Sequence, residues 1–419
     1  MKPLSELFSA GAGKTMSAAA RSGENRVPFL RTSNVLWDRL DLSSLDEMAL
    51  SSRDVPDKLV EQGDLLVCEG GEIGRAAIWD GSISPMAFQN HLHRLRPLRD
   101  DVNPRFYVFF LQAAFTQLGI FEGAGNKTTI PNLSSSRLMA LEVPHPDLRE
   151  QDTVVRALSL IRAAIENQRC VIEVGNELKQ AVSAVAFSVG LTDRRPAAAD
   201  LDDRLGGWTV VALGDVADLG TGTTPSTGAK HYYEGTIPFL KTSEIVNNRL
   251  RSASTFVSRQ AVIDYSLKLY PPGTLLMAMY DQGKTRGQVS LLEIAATTTQ
   301  NAAAIQPRAQ VDATFLWHNL RYRYEELRGM GSLGHLSHLN LGYLRDLPIA
   351  LPPMNEQIEI AASLDVIDQK VEIGRRRQRV LEELFHSVLH KVMTGAVRID
   401  DLNLSMLPAE QNQLAEATA

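Results

Sequence analysis

Two kinds of hydrophobic spacing alternate along this chain. Short apolar runs bounded by glycine or proline, such as residues 64–68 (DLLVC) and 273–279 (GTLLMAM), predict buried strands. Residues 106–118 and 315–327, rich in aromatics and leucine, predict helices. After Pro352-Pro353 the spacing changes. Leu364, Ile367, Val371, Gly374, Gln378, Leu381, Phe385, Val388 and Val392 fall three and four apart, a heptad seam that is polar in its middle. Gly395 closes it. Residues 147–189 carry Leu158, Ile161, Ile165, Ile172 and Val182 on the same frame, with Gln168, Gly175 and Lys179 interrupting it. Each seam predicts a helix of about 38 residues, roughly 57 Å long.

The pattern occurs twice. Residues 27–40 read VPFLRTSNVLWDRL and residues 237–250 read IPFLKTSEIVNNRL, about 210 positions apart. Leu4-Ser5-Glu6-Leu7 before Gly11-Ala12-Gly13-Lys14-Thr15 matches Leu213-Gly214-Asp215-Val216 before Gly220-Thr221-Gly222-Thr223-Thr224. Gln89-Asn90 matches Gln300-Asn301, and Glu150-Gln151 matches Glu356-Gln357. A long-period duplication predicts two similar modules.

Each copy is then a mixed globule followed by a long helix. The boundaries fall at residues 1–146 and 147–205 for the first copy, and 206–353 and 354–396 for the second, with a polar tail at 397–419. A helix with an apolar stripe needs a partner, and the other copy supplies one. The expected fold class is α+β, with two similar globules separated by two long antiparallel coiled-coil helices in a pseudo-two-fold arrangement. Residues 193–207 read as the linker, and the tail after Asp400 as frayed.

Composition narrows the class. The chain has 419 residues and a formal net charge of −6, enough length for two or three cores. Cys68 and Cys170 are far apart, which argues against a disulfide framework or a zinc site and for a reducing cytoplasm. The start of the chain predicts no signal peptide. No apolar run approaches the roughly 20 residues a membrane span needs. The weak acidity is compatible with nucleic-acid binding if cations converge in the folded protein.

Several strings invite a chemical reading. Ala10-Gly11-Ala12-Gly13-Lys14-Thr15 suggests a phosphate loop, but Phe8 stands where its first glycine belongs, and a glycine turn is the better reading. There is no nucleophile elbow, no HExxH and no amino-methyltransferase Pro-Pro-Tyr signature. His335 and His338 sit at a metal-like spacing with no counterpart in the first copy, so a turn or cap is the better reading. The chain reads as non-catalytic. Arg31-Thr32-Ser33 and Lys241-Thr242-Ser243 are the leading polar candidates. A cation beside two hydroxyls suits phosphate or base-edge contact, against the alternative of a capped strand end. Residues 281–287 (DQGKTRG) add Lys284 and Arg286 on a glycine loop, whereas the counterpart at 69–75 (EGGEIGR) is more acidic. Residues 231–233 and 126–129 read as packing and turn chemistry. Arg375, Arg376, Arg377 and Arg379 form a cationic patch, either a solvated face or a contact for bridging DNA or an acidic partner.

Taken together, these strings resemble the specificity subunit of Type I restriction–modification systems. The resemblance is carried by residues 213–226, by Ile237-Pro238-Phe239-Leu240-Lys241-Thr242-Ser243-Glu244-Ile245 and by residues 351–358 leading into a long helix. It implies that each globule is a target-recognition domain reading half of an asymmetric, interrupted double-stranded DNA site. The paired helices are then a ruler between the halves. They are also the docking surface for two methyltransferase subunits and, through them, the restriction and translocase subunits. S-adenosylmethionine and ATP belong to those partners, no cofactor belongs to this chain, and the methylated base is adenine. The first copy is the poorer match, beginning at Met1 without a counterpart of Trp208-Thr209-Val210. Two other readings compete: the recognition part of a fused or self-sufficient methyltransferase–endonuclease, and a coiled-coil adaptor that binds only proteins.

Overall fold

The computed structural model describes residues 1–52, 54–120, 133–187, 208–280, 285–329 and 339–397. Residues 126–129, the linker at 193–207, Lys284, His335, His338 and the tail after Asp400 lie outside them. The chain divides into two compact units, one of Met1–Gln168 with Arg377–Ala419 and one of Arg169–Arg376. Each unit holds one globule and a part of both long helices.

In the first unit a four-stranded sheet runs in the order Phe8–Ala12, Leu92–Pro97, Leu65–Cys68, Ala76–Ile78. A three-stranded sheet centres on Arg26–Leu30, antiparallel to Asp46–Ala49 and parallel to Ala87–Phe88. The second unit repeats both. Ala217–Thr221, Ala302–Pro307, Leu275–Ala278 and Val289–Leu292 follow the same order, with Arg249–Leu250 added as a fifth strand. Ile237–Leu240 lies between Thr255–Val257 and Thr297–Thr298. Register repeats as well as order. Leu65 faces Leu95 and Ile78, as Leu275 faces Ile305 and Leu291. Phe29 faces Asp46 and Ala87, as Phe239 faces Thr255 and Thr297.

That register corrects one string match. Phe88 pairs with Leu30 as Thr298 pairs with Leu240, and Leu92 faces Cys68 as Ala302 faces Ala278. Gln89, Asn90 and His91 therefore occupy the places of Thr299, Gln300 and Asn301. The shared Gln-Asn string is out of step by one residue. The turn bonds agree, because the Leu92 N–H donates to Gln89 O and the Ala302 N–H to Thr299 O. The first copy also keeps the edge pairing it appeared to lack. Lys2–Pro3 pairs with Glu142–Val143 as Thr209–Ala212 pairs with Pro348–Leu351, in shortened form.

The helices follow their caps. Asn103 and Asp312 accept backbone N–H bonds that start Pro104–Thr116 and Ala313–Tyr322. The single helix expected over 315–327 is two, Ala313–Tyr322 and Tyr324–Gly329. The break is Arg323, whose buried guanidinium turns inward to Glu326 and the Pro348 carbonyl. The long helices are Leu148–Phe187 and Met354–Met393, 40 residues each. Pro352-Pro353 precedes the second, and Gly395, at φ +71°, ends it. In the first unit Val154, Leu158, Phe385, Leu389 and Met393 cover the helix Pro104–Thr116. In the second, Phe187, Ala361 and Leu364 cover Ala313–Tyr322. Within that unit a Cβ on Gly175 would come 2.7 Å from Val371, and Lys179 pairs with Asp368. Those two contacts run in opposite directions along the two helices.

A buried glutamine fixes the start of each long helix. Gln151 is 0% exposed and Gln357 1%. The Gln151 side chain accepts the Asn103 N–H at 2.8 Å and donates to Asp101 O and Pro146 O. Gln357 accepts the Asp312 N–H at 2.9 Å and donates to Gln310 O and Pro352 O. One amide thereby satisfies three buried backbone groups and ties the helix to the globule.

Candidate nucleic-acid interface

In both units the central strand of the three-stranded sheet ends on leucine. The next residues form one 3-10 turn, Thr32–Asn34 or Thr242–Glu244. The Arg31 N–H donates to Asn34 Oδ1 at 2.8 Å, and the Lys241 N–H to Glu244 Oε2 at 2.9 Å. Asn34 also donates to Asp41 O and Ser44 O, and Glu244 accepts the Ser254 N–H. The third turn residue therefore holds the shape in each copy. The hydroxyls of Thr32, Ser33, Thr242 and Ser243 make no hydrogen bond among the described residues, and Ser33 and Ser243 are exposed. Arg31 pairs with Asp46 at 2.7 Å, whereas exposed Lys241 makes no ion pair among the described residues. Each turn offers a cation and two uncommitted hydroxyls on one rim, a set suited to phosphate oxygens and base edges.

The glycine loop adjoins the turn in the first unit. In the first unit Cys68, at the head of residues 69–75, bonds to Thr32 O at 3.7 Å, and Arg75 pairs with Glu72. Burial pushes the Cys68 thiol up to about 12, so it stays protonated. In the second unit Arg286 donates to Arg328 O at 2.9 Å.

The phosphate-loop string does other work. Lys14 pairs with Asp54 at 2.7 Å, and this amine, with Ser51, holds the Asp54 carboxyl down to about 2. A Cβ on Gly13 would overlap the Gln89 carbonyl, and one on Gly222 the Thr298 carbonyl. These glycines permit two backbones to touch; they do not make the turn expected of them. Tyr232 packs on Tyr265 and donates to Asp264, and Tyr233 donates to Pro225 O.

Arg375, Arg376, Arg377 and Arg379 are all exposed. Arg376 pairs with Glu372 at 3.0 Å. Arg375 and Arg376 border an open cleft of about 590 Å³ in the second unit, with Lys179, Arg249, Arg251 and Arg321. The cleft's carboxylates are spent internally. Asp365 accepts from Arg249 and His318, and Asp368 from Arg321 and Lys179. Burial, together with neighbouring Arg321, pushes Lys179 down to about 8 against the pull of Asp368. Among the described residues Arg375 makes no ion pair. The Asp365 and Asp368 network was not anticipated, because a seam reading weighs apolar positions and passes over carboxylates beside them.

The sequence profile of the Type I restriction modification DNA specificity domain matches residues 1–173 and again 206–383. The chain belongs to that family. As a specificity subunit of type I restriction–modification, it serves DNA sequence recognition, and the two matched stretches are the two copies described above. Among its relatives, the type I restriction enzyme MjaIX specificity subunit of Methanocaldococcus jannaschii is 21% identical over 381 residues, covering 86% of each chain. The MjaVIII specificity subunit of the same organism is 22% identical over 345 residues, 78% of this chain and 79% of that one. The fold is that of the type I system S subunit from M. genitalium, with a TM-score of 0.60 at 16% identity over 94% of this chain and 95% of that one. A structure described for complex assembly and conformational transition of the type I system gives 0.58 at 19% identity, over 94% and 97%. Among the described residues no helix is long and apolar enough to cross a membrane.

Proposed function

We propose that this specificity subunit reads an asymmetric, interrupted site on double-stranded DNA, one half per globule, and leaves the chemistry to its partners. The observation that carries this reading is duplication at the level of strand register. One scaffold occurs twice with the same cation–Thr–Ser turn, while the glycine-loop sequences at 69–75 and 281–287 differ in charge. A shared scaffold with unlike loops suits two readers of unlike half-sites. Each half binds modestly, and linkage multiplies the two affinities.

In this reading the long helices pair as an antiparallel coiled coil related by a pseudo-two-fold axis, and they set the gap between the half-sites. They also dock two methyltransferase subunits, which carry S-adenosylmethionine, and through them the ATP-dependent restriction and translocase subunits, all in the cytoplasm. Exposed apolar side chains support the docking role. Val171, Val174, Leu178 and Val185 on the first helix are about half exposed or more, and so are Val366 and Val380 on the second. Such stripes on a charged helix are what a partner helix would cover.

The test is reconstitution with the cognate methyltransferase subunits. The complex should methylate DNA selectively, and the isolated chain should transfer no methyl group. Lys241→Ala should weaken methylation through one half-site only. Methyl transfer by the isolated chain would overturn the division of labour, and unchanged methylation by Lys241→Ala would remove that turn from the interface.

A further inference from the structure

We propose that each globule is keyed to its long helix by a polar latch whose charge is inverted between the two units, so the globules cannot be exchanged along the chain. In the first unit the helix contributes the cation. Arg162 donates to Trp37 O and Gln112 Oε1, both at 2.7 Å, and pairs with Asp38 at 3.2 Å. Asp38 is only 3% exposed and is also gripped by Arg105. The Arg162 guanidinium lies over the rings of Phe109 and Phe385. In the second unit the helix contributes the anions. Asp368 accepts from Arg321 of the globule at 2.6 Å and pairs with Lys179 of the neighbouring helix. Asp365 accepts from Arg249 and His318. Arg249 and Arg321 stack on Trp317.

These are the same places in the repeated scaffold. Gln151 and Gln357 make the same three bonds, which aligns the long helices and puts Arg162 where Asp368 stands and Phe385 where Lys179 stands. The caps Asn103 and Asp312 align the globule helices and put Gln112 where Arg321 stands. A second globule moved onto the first helix would set Arg321 against Arg162. A first globule moved onto the second helix would set Asp38, at the place of Asn248, towards Asp368 and put the uncharged Gln112 in place of Arg321, leaving Asp368 without its globule cation, while Arg39 keeps the place of Arg249. Like charges at part-buried positions carry no compensating solvent, so each misplacement is penalised and the order of the two readers is fixed.

The proposal rests on the recognition reading for its methylation readout only; its stability readout stands alone. The full chain with its methyltransferase partner is compared as wild type, Gln112→Arg, Arg162→Asp and the double variant. Gln112→Arg should lower the thermal midpoint in the wild-type background, where it meets Arg162. In the Arg162→Asp background it should raise the midpoint, where it rebuilds the pair made by Arg321 and Asp368, and methylation should recover with it. If Arg162→Asp does not fold, Arg162→Gln replaces it, and the penalty of Gln112→Arg should then shrink. A Gln112→Arg effect that is the same in every background would overturn the latch. The change of sign in stability, without selective methylation by any variant or by wild type, would support the latch and sink the recognition reading.

Discussion

Gln151 and Gln357 show what a repeated residue is for when its side chain is wholly engaged. Replacing Gln357 with alanine strands one backbone N–H and two carbonyls in the interior. The expected cost is about 3 kcal/mol, read as a lower denaturation midpoint. His318 gives a pH dependence. Burial lowers its pKa from the ordinary 6.5, and Asp365 only partly offsets this. A depressed folded pKa means the native state resists protonation. Stability is therefore full above about 6.5 and falls as the pH drops below it toward the folded value. His318→Gln, which can still donate to Asp365 but cannot titrate, should flatten the decline in thermal midpoint between pH 7 and 5; an unchanged slope would assign it elsewhere. The Glu-Gln string was visible in the sequence, but its role was not, because two of the three groups each glutamine satisfies lie 45 to 50 residues away. The Gln-Asn string misled in the opposite way: identical letters stand one residue apart in register, because strand pairing and not letter identity sets equivalence.

At the scale of elements, the two faces of each long helix separate cleanly. Leu364 is fully buried, while Val366, two residues on, is 55% exposed. Leu364→Ala should cost about 2–5 kcal/mol of stability. Val366→Ala should leave the isolated chain's stability nearly unchanged and weaken methyltransferase association, as measured by titration calorimetry. Equal stability losses at both positions would contradict a covered face opposed to a docking face. The covered face was legible: seam positions Leu364, Val371 and Phe385 are buried. Gly175 and Lys179, which interrupt the seam, mark a close approach to Val371 and an ion pair with Asp368. The exposed stripe was not legible, since a heptad reading assigns one apolar face and treats the rest as solvated. The polar latches escaped for the same reason: Arg162, Asp365 and Asp368 have ordinary surface composition, and only the fold shows what they face.

The whole molecule presents one scaffold twice, and in the proposed function each copy reads its own half of a DNA site. Complex formation with DNA should weaken steeply as salt rises, because phosphate contact releases counterions. A flat salt response in an electrophoretic shift assay would argue against the turns at Arg31 and Lys241 touching phosphates. The mixed helix-and-sheet class and the duplication were readable because hydrophobic spacing repeats with the strands. The bases read were not, because they depend on loop surfaces that spacing does not encode. The most direct measurement is genome-wide mapping of methylated adenine in cells carrying this gene with its methyltransferase partner. Two unlike short motifs separated by a fixed gap, each altered by changes in one globule only, is the predicted result. A single continuous motif, or no methylation beyond that of the methyltransferase alone, would contradict it.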